Sequence, residues 1–218
     1  MKILKTFALL VILSCVLIGL QNCQKDHFPA APVCFQEEVF PIIISNCTQS
    51  DCHNSFDKKK DIDLTTYEGI LGIVKKGNYK SSKLYTVLVT TFGNVMPQKP
   101  YSPLSDEQVT TIARWIQEGA TDIGNCQSAC DTTSVSFSTN VFPIIQNYCN
   151  GCHSTNSTLS SIKLSTYNDI KLAVSNGSLI GSVNYDQGFV PMPKNGNQLS
   201  QCKIDIIQKW INDGAPNN

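Results

Sequence analysis

Hydrophobic residues recur along this chain at helical spacing, and the same order of segments occurs twice. The run VFPII at residue 39 returns at residue 141, and LTTYEGI at residue 64 is matched by LSTYNDI at residue 164. The offset between the copies shrinks from 102 to 95 residues through small gaps. A repeat of about 100 residues is too long for a solenoid unit, so the pattern indicates a duplicated domain.

Each copy is predicted to open and close with a helix. The closing helices begin after Ser105 and Ser200, which are good N-cap residues, and Gln108 completes a capping box in the first copy. Gly119 and Gly214 are expected to end them. Pro41 and Pro143 should start or kink the opening helices. Polar loops and turns are expected in between, with no alternating strands, so the predicted class is all-α with two tandem small helical domains.

The N-terminus has a short basic start followed by an apolar run from Thr6 to Leu20. This form predicts a secretory leader, with a permanent membrane helix as the alternative. The polar residues after Cys23 resemble those of a bacterial lipoprotein, in which that cysteine is lipidated. Cys15 is a second candidate, although cleavage there would leave an apolar mature start.

The boundary between the copies falls in a polar stretch rich in Ser, Thr and Asn. The expected organisation is a leader over 1–22, a linker over 23–32, a first domain over 33–124, a linker over 125–132 and a second domain over 133–218.

Charge gives little indication of a nucleic-acid partner. The chain has 17 basic and 17 acidic residues, and a leader containing Lys2 and Lys5 would leave a net charge of about −2. Nucleic-acid binding proteins need a strongly basic face, so no nucleic acid is expected.

Cys149, Cys152 and His153 form a C-x-x-C-H sequence, which is the attachment sequence for c-type haem. Two thiols bond to the two vinyl groups on one porphyrin edge, and the adjacent histidine is held as the proximal iron ligand. A disulfide pair and half of a zinc site are the alternatives. Zinc needs a second pair of ligands, and the second copy offers only Cys202 elsewhere.

The first copy has a wider motif, with four residues between Cys47 and Cys52 and with His53 directly after. Its position in the duplicate matches the C-x-x-C-H sequence, so haem attachment is expected here too. The C-x4-C-H form resembles haem sites of some multihaem cytochromes, in which the longer loop bulges outward. A decayed site, either a disulfide or a haem held through one thioether, is the alternative.

Two methionines occupy matching positions. Met96 and Met192 are each followed by proline, and the initiator is the only other methionine. Methionine is often core filler, but the matched Met-Pro pairs favour axial thioether ligands that raise the haem potential. The expected metal ligands are therefore His53 with Met96 and His153 with Met192.

Four cysteines have no counterpart in the other copy: Cys34, Cys126, Cys130 and Cys202. An even number in an exported protein predicts two disulfides, and three pairings are open.

Each copy resembles a short, class I-like cytochrome c domain of the planctomycete type. The resemblance covers almost all of the mature chain and departs from the pattern at the widened motif. It rests on the aromatic opening helix, the haem motif, a Leu–Tyr segment, Met-Pro, and a closing helix ending in Trp-Ile and Gly-Ala. In this sequence the last four are Leu64 and Tyr67 or Leu164 and Tyr167, Met96-Pro97 or Met192-Pro193, Trp115-Ile116 or Trp210-Ile211, and Gly119-Ala120 or Gly214-Ala215.

The resemblance implies a small helical domain around each of two covalent haems, and electron transfer as the function. The expected protein is an outer-sphere carrier, not an enzyme, at the bacterial cell envelope, facing the periplasm or the surface. Lipid on Cys23 would anchor it near redox proteins or quinol-linked membrane donors. A dihaem peroxidase and a structural or interaction module are the competing interpretations. Trp115 and Trp210 are expected to be core aromatics, whereas Tyr67 and Tyr167 either pack or bind a haem propionate.

Overall fold

The opening segment of each copy is a helix in two parts. The computed structural model describes residues 32–123, 126, 130–194 and 196–218, so the leader, Cys15 and Cys23 lie outside the described residues. A π-helical turn over Phe35–Val39 leads into helix α1, Phe40–Cys47, with Pro41 in its first turn. In the second copy, the π-helical turn Phe137–Val141 leads into α5, Phe142–Tyr148. The predicted opening helices are therefore confirmed, since proline is accepted where a helix begins.

The closing helices are α4, Asp106–Gln117, and α9, Gln201–Asn212. Ser105 forms the predicted capping box with Gln108. Ser200 occupies the N-cap of α9 without a capping bond, and its hydroxyl instead lies 3.4 Å from a Glu37 carboxylate oxygen. Gly119 and Gly214 follow the helices with φ of 107° and 92°, which is the left-handed region that glycine adopts readily.

The prediction of polar loops between these helices is wrong in part, because short helices occupy them. Thr66 accepts a hydrogen bond from the N–H of Gly69, and Thr166 forms a capping box with Asp169. Threonine caps thus start helices where loops were expected. The additional helices are α2 (Tyr67–Leu71), α3 (Lys83–Val89), α6 (Asn150–His153), α7 (Tyr167–Ser175) and α8 (Ser178–Asn184), with 3-10 turns at Lys59–Asp61 and Tyr79–Ser81.

The described residues form an all-α structure without a β-strand, which confirms the predicted class. Pro32–Asn218 is one compact unit, although the second copy has a buried core of its own. The boundaries of the two predicted domains stay a prediction. Within the described residues, no helix combines the length and apolar character required to span a bilayer.

An aromatic cluster joins the opening and closing helices in each copy. The Phe35 ring stacks on Trp115 with a centroid distance of 5.1 Å and meets Tyr67 edge-on at 5.0 Å. The Tyr67 hydroxyl donates to the Ala120 carbonyl oxygen at 2.7 Å. Phe137, Trp210, Tyr167 and Ala215 repeat these contacts. The tryptophans are core aromatics as predicted, and the tyrosine hydroxyls serve packing because each already donates to a carbonyl.

The two copies pack through their opening helices, α1 against α5 and α6. Lys203 of the second copy forms an ion pair with the Glu37 carboxylate of the first copy. The Tyr148 hydroxyl, also in the second copy, donates a hydrogen bond to the backbone carbonyl oxygen of Glu37 at 3.0 Å. Gln108 reaches in the other direction, with its Nε2 3.1 Å from Asn147 Oδ1. Polar side chains from both copies therefore hold them in contact.

The four unmatched cysteines form the pairs Cys34–Cys126 and Cys130–Cys202. Each pair joins one end of the linker to a different copy, which resolves the three open pairings. The linker is thereby fixed to both copies, and cross-links of this kind restrict the unfolded chain more than the folded one.

Candidate functional site

The second motif begins at Cys149, directly after α5, and continues as the single turn α6. The N–H of His153 donates to the Cys149 carbonyl oxygen at 3.0 Å, and the N–H of Leu164 donates to the His153 carbonyl oxygen at 2.8 Å. This turn brings the histidine back beside the first cysteine of the motif.

The first motif reaches the same geometry despite its two additional residues. The N–H of His53 donates to the Cys47 carbonyl oxygen at 3.0 Å. The loop is held by Asn54, whose Nδ2 donates to the Gln49 carbonyl oxygen at 2.8 Å, and by Asp57, which accepts from the N–H of Asp51 at 2.8 Å. Cys47 and His53 therefore stand in the same backbone relation as Cys149 and His153.

The expectation that the wider loop bulges outward is wrong for its first half. Thr48 and Gln49 are only 3% and 5% exposed, whereas Ser50 and Asp51 are exposed. The Thr48 hydroxyl donates to the Ile44 carbonyl oxygen at 2.8 Å, and Gln49 Nε2 donates to that of Ser45 at 2.6 Å. The last carbonyls of α1 lack helical partners, so these side chains turn inward to satisfy them.

Both histidines are oriented by the same kind of hydrogen bond. Nδ1 of His53 lies 3.0 Å from the Lys59 carbonyl oxygen, and Nδ1 of His153 lies 3.0 Å from that of Ile162. Because a carbonyl oxygen only accepts, Nδ1 carries a proton in both rings, and in the neutral form of such a ring the lone pair is on Nε2. Burial lowers the pKa of His153, which favours the neutral ring. A neutral imidazole held through Nδ1–H is the usual form of a metal-binding histidine.

The four motif cysteines carry free thiols, so the disulfide alternative is contradicted for both motifs. Burial raises the pKa of Cys47 and of Cys149 to about 12, with a smaller effect from the second thiol of each motif. Burial also raises the pKa of Cys52 and Cys152. The motif cysteines are thus protonated thiols near neutral pH, in contrast to the reactive thiolates of redox enzymes.

The predicted methionine ligands stand in matching places. The N–H of Met96 donates to the Val87 carbonyl oxygen at 2.9 Å, at the end of α3. The N–H of Met192 donates to the Ser182 carbonyl oxygen at 3.0 Å, in α8. Both side chains are partly buried. Ligation of iron by either sulfur stays a prediction.

Exposed apolar side chains concentrate between each motif and its closing helix. Among the described residues, ten large hydrophobic side chains are exposed, and nine of them lie in these two segments. Phe92 is 87% exposed and Leu172 is 66% exposed. The nine are Phe56, Val89, Phe92, Leu159, Ile162, Leu172, Tyr185, Phe189 and Val190.

Within the described part of the chain, no three side chains of His, Cys, Asp and Glu converge as a metal site. Covalent haem does not require such convergence, because the thiols bind the porphyrin edge and, of these four residue types, only the histidine binds iron. Free thiols in pairs and a following histidine that is held through Nδ1 both fit this attachment.

Comparison of the chain with protein families, with characterised proteins and with solved structures gives no match.

Proposed function

We propose that this chain is a dihaem c-type cytochrome that carries electrons at the bacterial cell envelope. Cys47 and Cys52 would hold one haem and Cys149 and Cys152 the other, each in a cytochrome c-like helical domain. Bound haem c supplies a one-electron Fe(II)/Fe(III) couple. The proposal describes an electron-transfer protein and not an enzyme.

The observation that carries the proposal is the matched state of the two histidines. Both imidazoles donate through Nδ1 to a carbonyl oxygen at 3.0 Å, and both follow a pair of free thiols. The other four cysteines of the described chain are paired in disulfides, so the motif thiols are the ones left for another bond. Two motifs of different length that keep the same imidazole orientation favour one shared use.

Met96 and Met192 complete the proposed ligand sets. A methionine thioether is a weak donor to Fe(III), so it stabilises Fe(II) and raises the potential relative to a second histidine. Either methionine would also take a coordination position on iron. With that position and the histidine's filled, no site would remain for a substrate on iron, which would favour outer-sphere transfer over peroxidase chemistry.

The location and the partners follow from the N-terminus and belong to the same proposal. Lipid on Cys23 would hold the protein at a membrane surface, facing the periplasm or the outside. Electrons would come from redox proteins or quinol-linked donors. Stable anchoring needs more than one acyl chain, which a bacterial lipoprotein provides.

The test begins with the mature protein from a host able to attach haem c. Intact mass and a pyridine haemochrome assay should count two covalent haems. Met192→His should then lower one of the two potentials and remove about half of the charge-transfer band of Met-ligated ferric haem. Met96→His is the matched variant and should act on the other half. A protein without covalent haem would refute the proposal, and unchanged spectra and potentials in both variants would refute the ligand assignment.

A further inference from the structure

We propose that the two attachment motifs form one junction through which the haems influence each other, and that Gln49, on the widened loop, is the residue that couples them. This inference rests on the proposed function, because it requires both haems. It concerns how the two sites act together, which a pair of independent carriers would not show.

The junction is formed where the second motif meets α1 of the first copy. The N–H of Gly151 donates to Ser45 Oγ at 3.1 Å, and Cys152 Sγ lies 3.8 Å from the Ser45 carbonyl oxygen. Ser45 is two residues before Cys47. A residue that would carry the second haem is therefore in contact with the helix that ends in a residue carrying the first.

Gly151 shows how closely the backbones approach. A Cβ atom at this position would lie 1.9 Å from the Ser45 carbonyl oxygen and 2.4 Å from its carbonyl carbon. Neither atom belongs to a flexible side chain, so only glycine fits without movement of the backbone. The contact between the motifs is thus built into their main chains.

Gln49 fills the space beside this contact. Its side chain is 5% exposed, and Nε2 donates to the same Ser45 carbonyl oxygen at 2.6 Å. Cys152 Sγ approaches the same carbonyl oxygen at 3.8 Å, so the amide and the thiol lie on one backbone atom. Gln49 Oε1 has no hydrogen-bond partner among the described residues and is buried. Gln49 borders a cleft of about 150 Å³ together with Tyr101 and Gly151.

The different lengths of the two motifs are complementary at this junction. The first loop has four residues and turns Gln49 toward the second motif. The second loop has two, and its Gly151 passes under the carbonyl of Ser45, where no side chain fits. The widened motif then has a role that a standard C-x-x-C-H motif could not fill, because the shorter motif has no residue in the place of the buried Gln49.

Coupling follows from the burial of the junction. Hydrogen bonds near the cysteine sulfurs and nearby charges are among the factors that set a haem potential. Their effect grows where water is excluded, because the local dielectric constant is low. A buried amide in contact with both motifs acts on both haems, and the charge gained by one oxidised iron opposes oxidation of the other.

The experiment compares Gln49→Glu with Ser50→Asp in the holoprotein, after the haemochrome assay has counted the haems. Both variants add one negative charge to the same loop, but position 50 is exposed. Potentiometric titration at pH 9 favours the ionised form of each carboxylate, because burial raises a carboxyl pKa. Gln49→Glu should move both reduction steps to lower potential, with about a ten-fold rise in the Fe(III)/Fe(II) ratio at fixed poise. Ser50→Asp should change it by about two-fold or less, because exposed charges are screened.

Gln49→Leu provides a second measurement if the buried charge prevents folding. It keeps the approximate size, removes the hydrogen bond to Ser45 and should also shift both steps. A count of fewer than two haems would overturn the proposed function together with this inference. Two haems with only one step moved by the Gln49 variants, or with Gln49→Glu moving the steps no further than Ser50→Asp, would overturn the coupling alone.

Discussion

Replacing Gly151 by alanine tests the contact between the copies directly. The new Cβ would stand 1.9 Å from the Ser45 carbonyl oxygen, whereas ordinary contacts begin near 3.4 Å. To relieve this clash, α1 and α6 must separate by about 1.5 Å. Overpacking of this kind destabilises the folded state by about 1–3 kcal/mol. The hydrogen bond from the Gly151 N–H to Ser45 Oγ would also be lost, at about 1 kcal/mol.

One effect acts in the opposite direction. Gly151 lies in a helical turn, and alanine favours a helix over glycine by about 1 kcal/mol. The net destabilisation expected for Gly151→Ala is therefore roughly 1–3 kcal/mol. In a folded unit of this size that corresponds to a fall in melting temperature of roughly 3–9 °C. Both cysteines and the histidine of the motif are kept, so haem attachment should remain.

Gly196→Ala is a matched control, because Gly196 also faces the first copy. Its Cβ would lie 3.4 Å from a methyl group of Ile44, an ordinary contact. Thermal unfolding followed by circular dichroism should show a change of less than about 1 kcal/mol for this variant. Equal melting temperatures for the wild type and Gly151→Ala would refute the close approach of α1 and α6 on which the junction depends.

Two further predictions concern the interior of each copy. Tyr67→Phe removes the hydroxyl that donates to the Ala120 carbonyl oxygen and should lower stability by about 1 kcal/mol in urea unfolding, without changing the haem content. In the apoprotein, burial raises the pKa of Cys47 and of Cys149 from 9.0 to about 12. The protonated thiols therefore stabilise the folded state fully below pH 9. This stabilisation is lost as the pH rises toward 12. Thiolate absorbance and stability should change together over that range in the apoprotein, whereas thioether-bound cysteines cannot titrate and the holoprotein should lack the change.

The helices and motifs of this chain could be predicted from local sequence because local chemistry determines them. Gly119 and Gly214 end the closing helices with positive φ, as their position after a periodic run indicates. The capping box of Ser105 and Gln108 is likewise a short-range pattern. The caps at Thr66 and Thr166 are short-range patterns of the same kind, but the apolar runs that follow them are too brief to predict a helix.

The contacts between the copies could not be predicted in this way. The pairing of Cys34 with Cys126 spans 92 residues, and nothing in the spacing chooses it over the alternatives. The burial of Gln49 depends on the helix ends and on the second motif, so a polar residue in a polar loop gave no sign of it. The need for glycine at position 151 depends on the Ser45 carbonyl of the other copy, so the sequence of the motif alone does not indicate it.

Two positions at which the copies differ in chemistry are also positions at which they touch. The third residue of each closing helix reaches the other copy, but it is Gln108 in one and Lys203 in the other. Gln108 meets the end of an opening helix, whereas Lys203 meets Glu37 at the beginning of one, where the second copy has Thr139.

Inside each copy the aromatic contacts and the histidine hydrogen bonds are repeated almost unchanged. A duplicated domain whose copies were independent would need no such division between repeated interiors and different contact surfaces. Each copy is therefore fitted to its own place in the pair, and exchanging Gln108 and Lys203 between the closing helices would leave Glu37 without its cation and place a lysine against the end of α5.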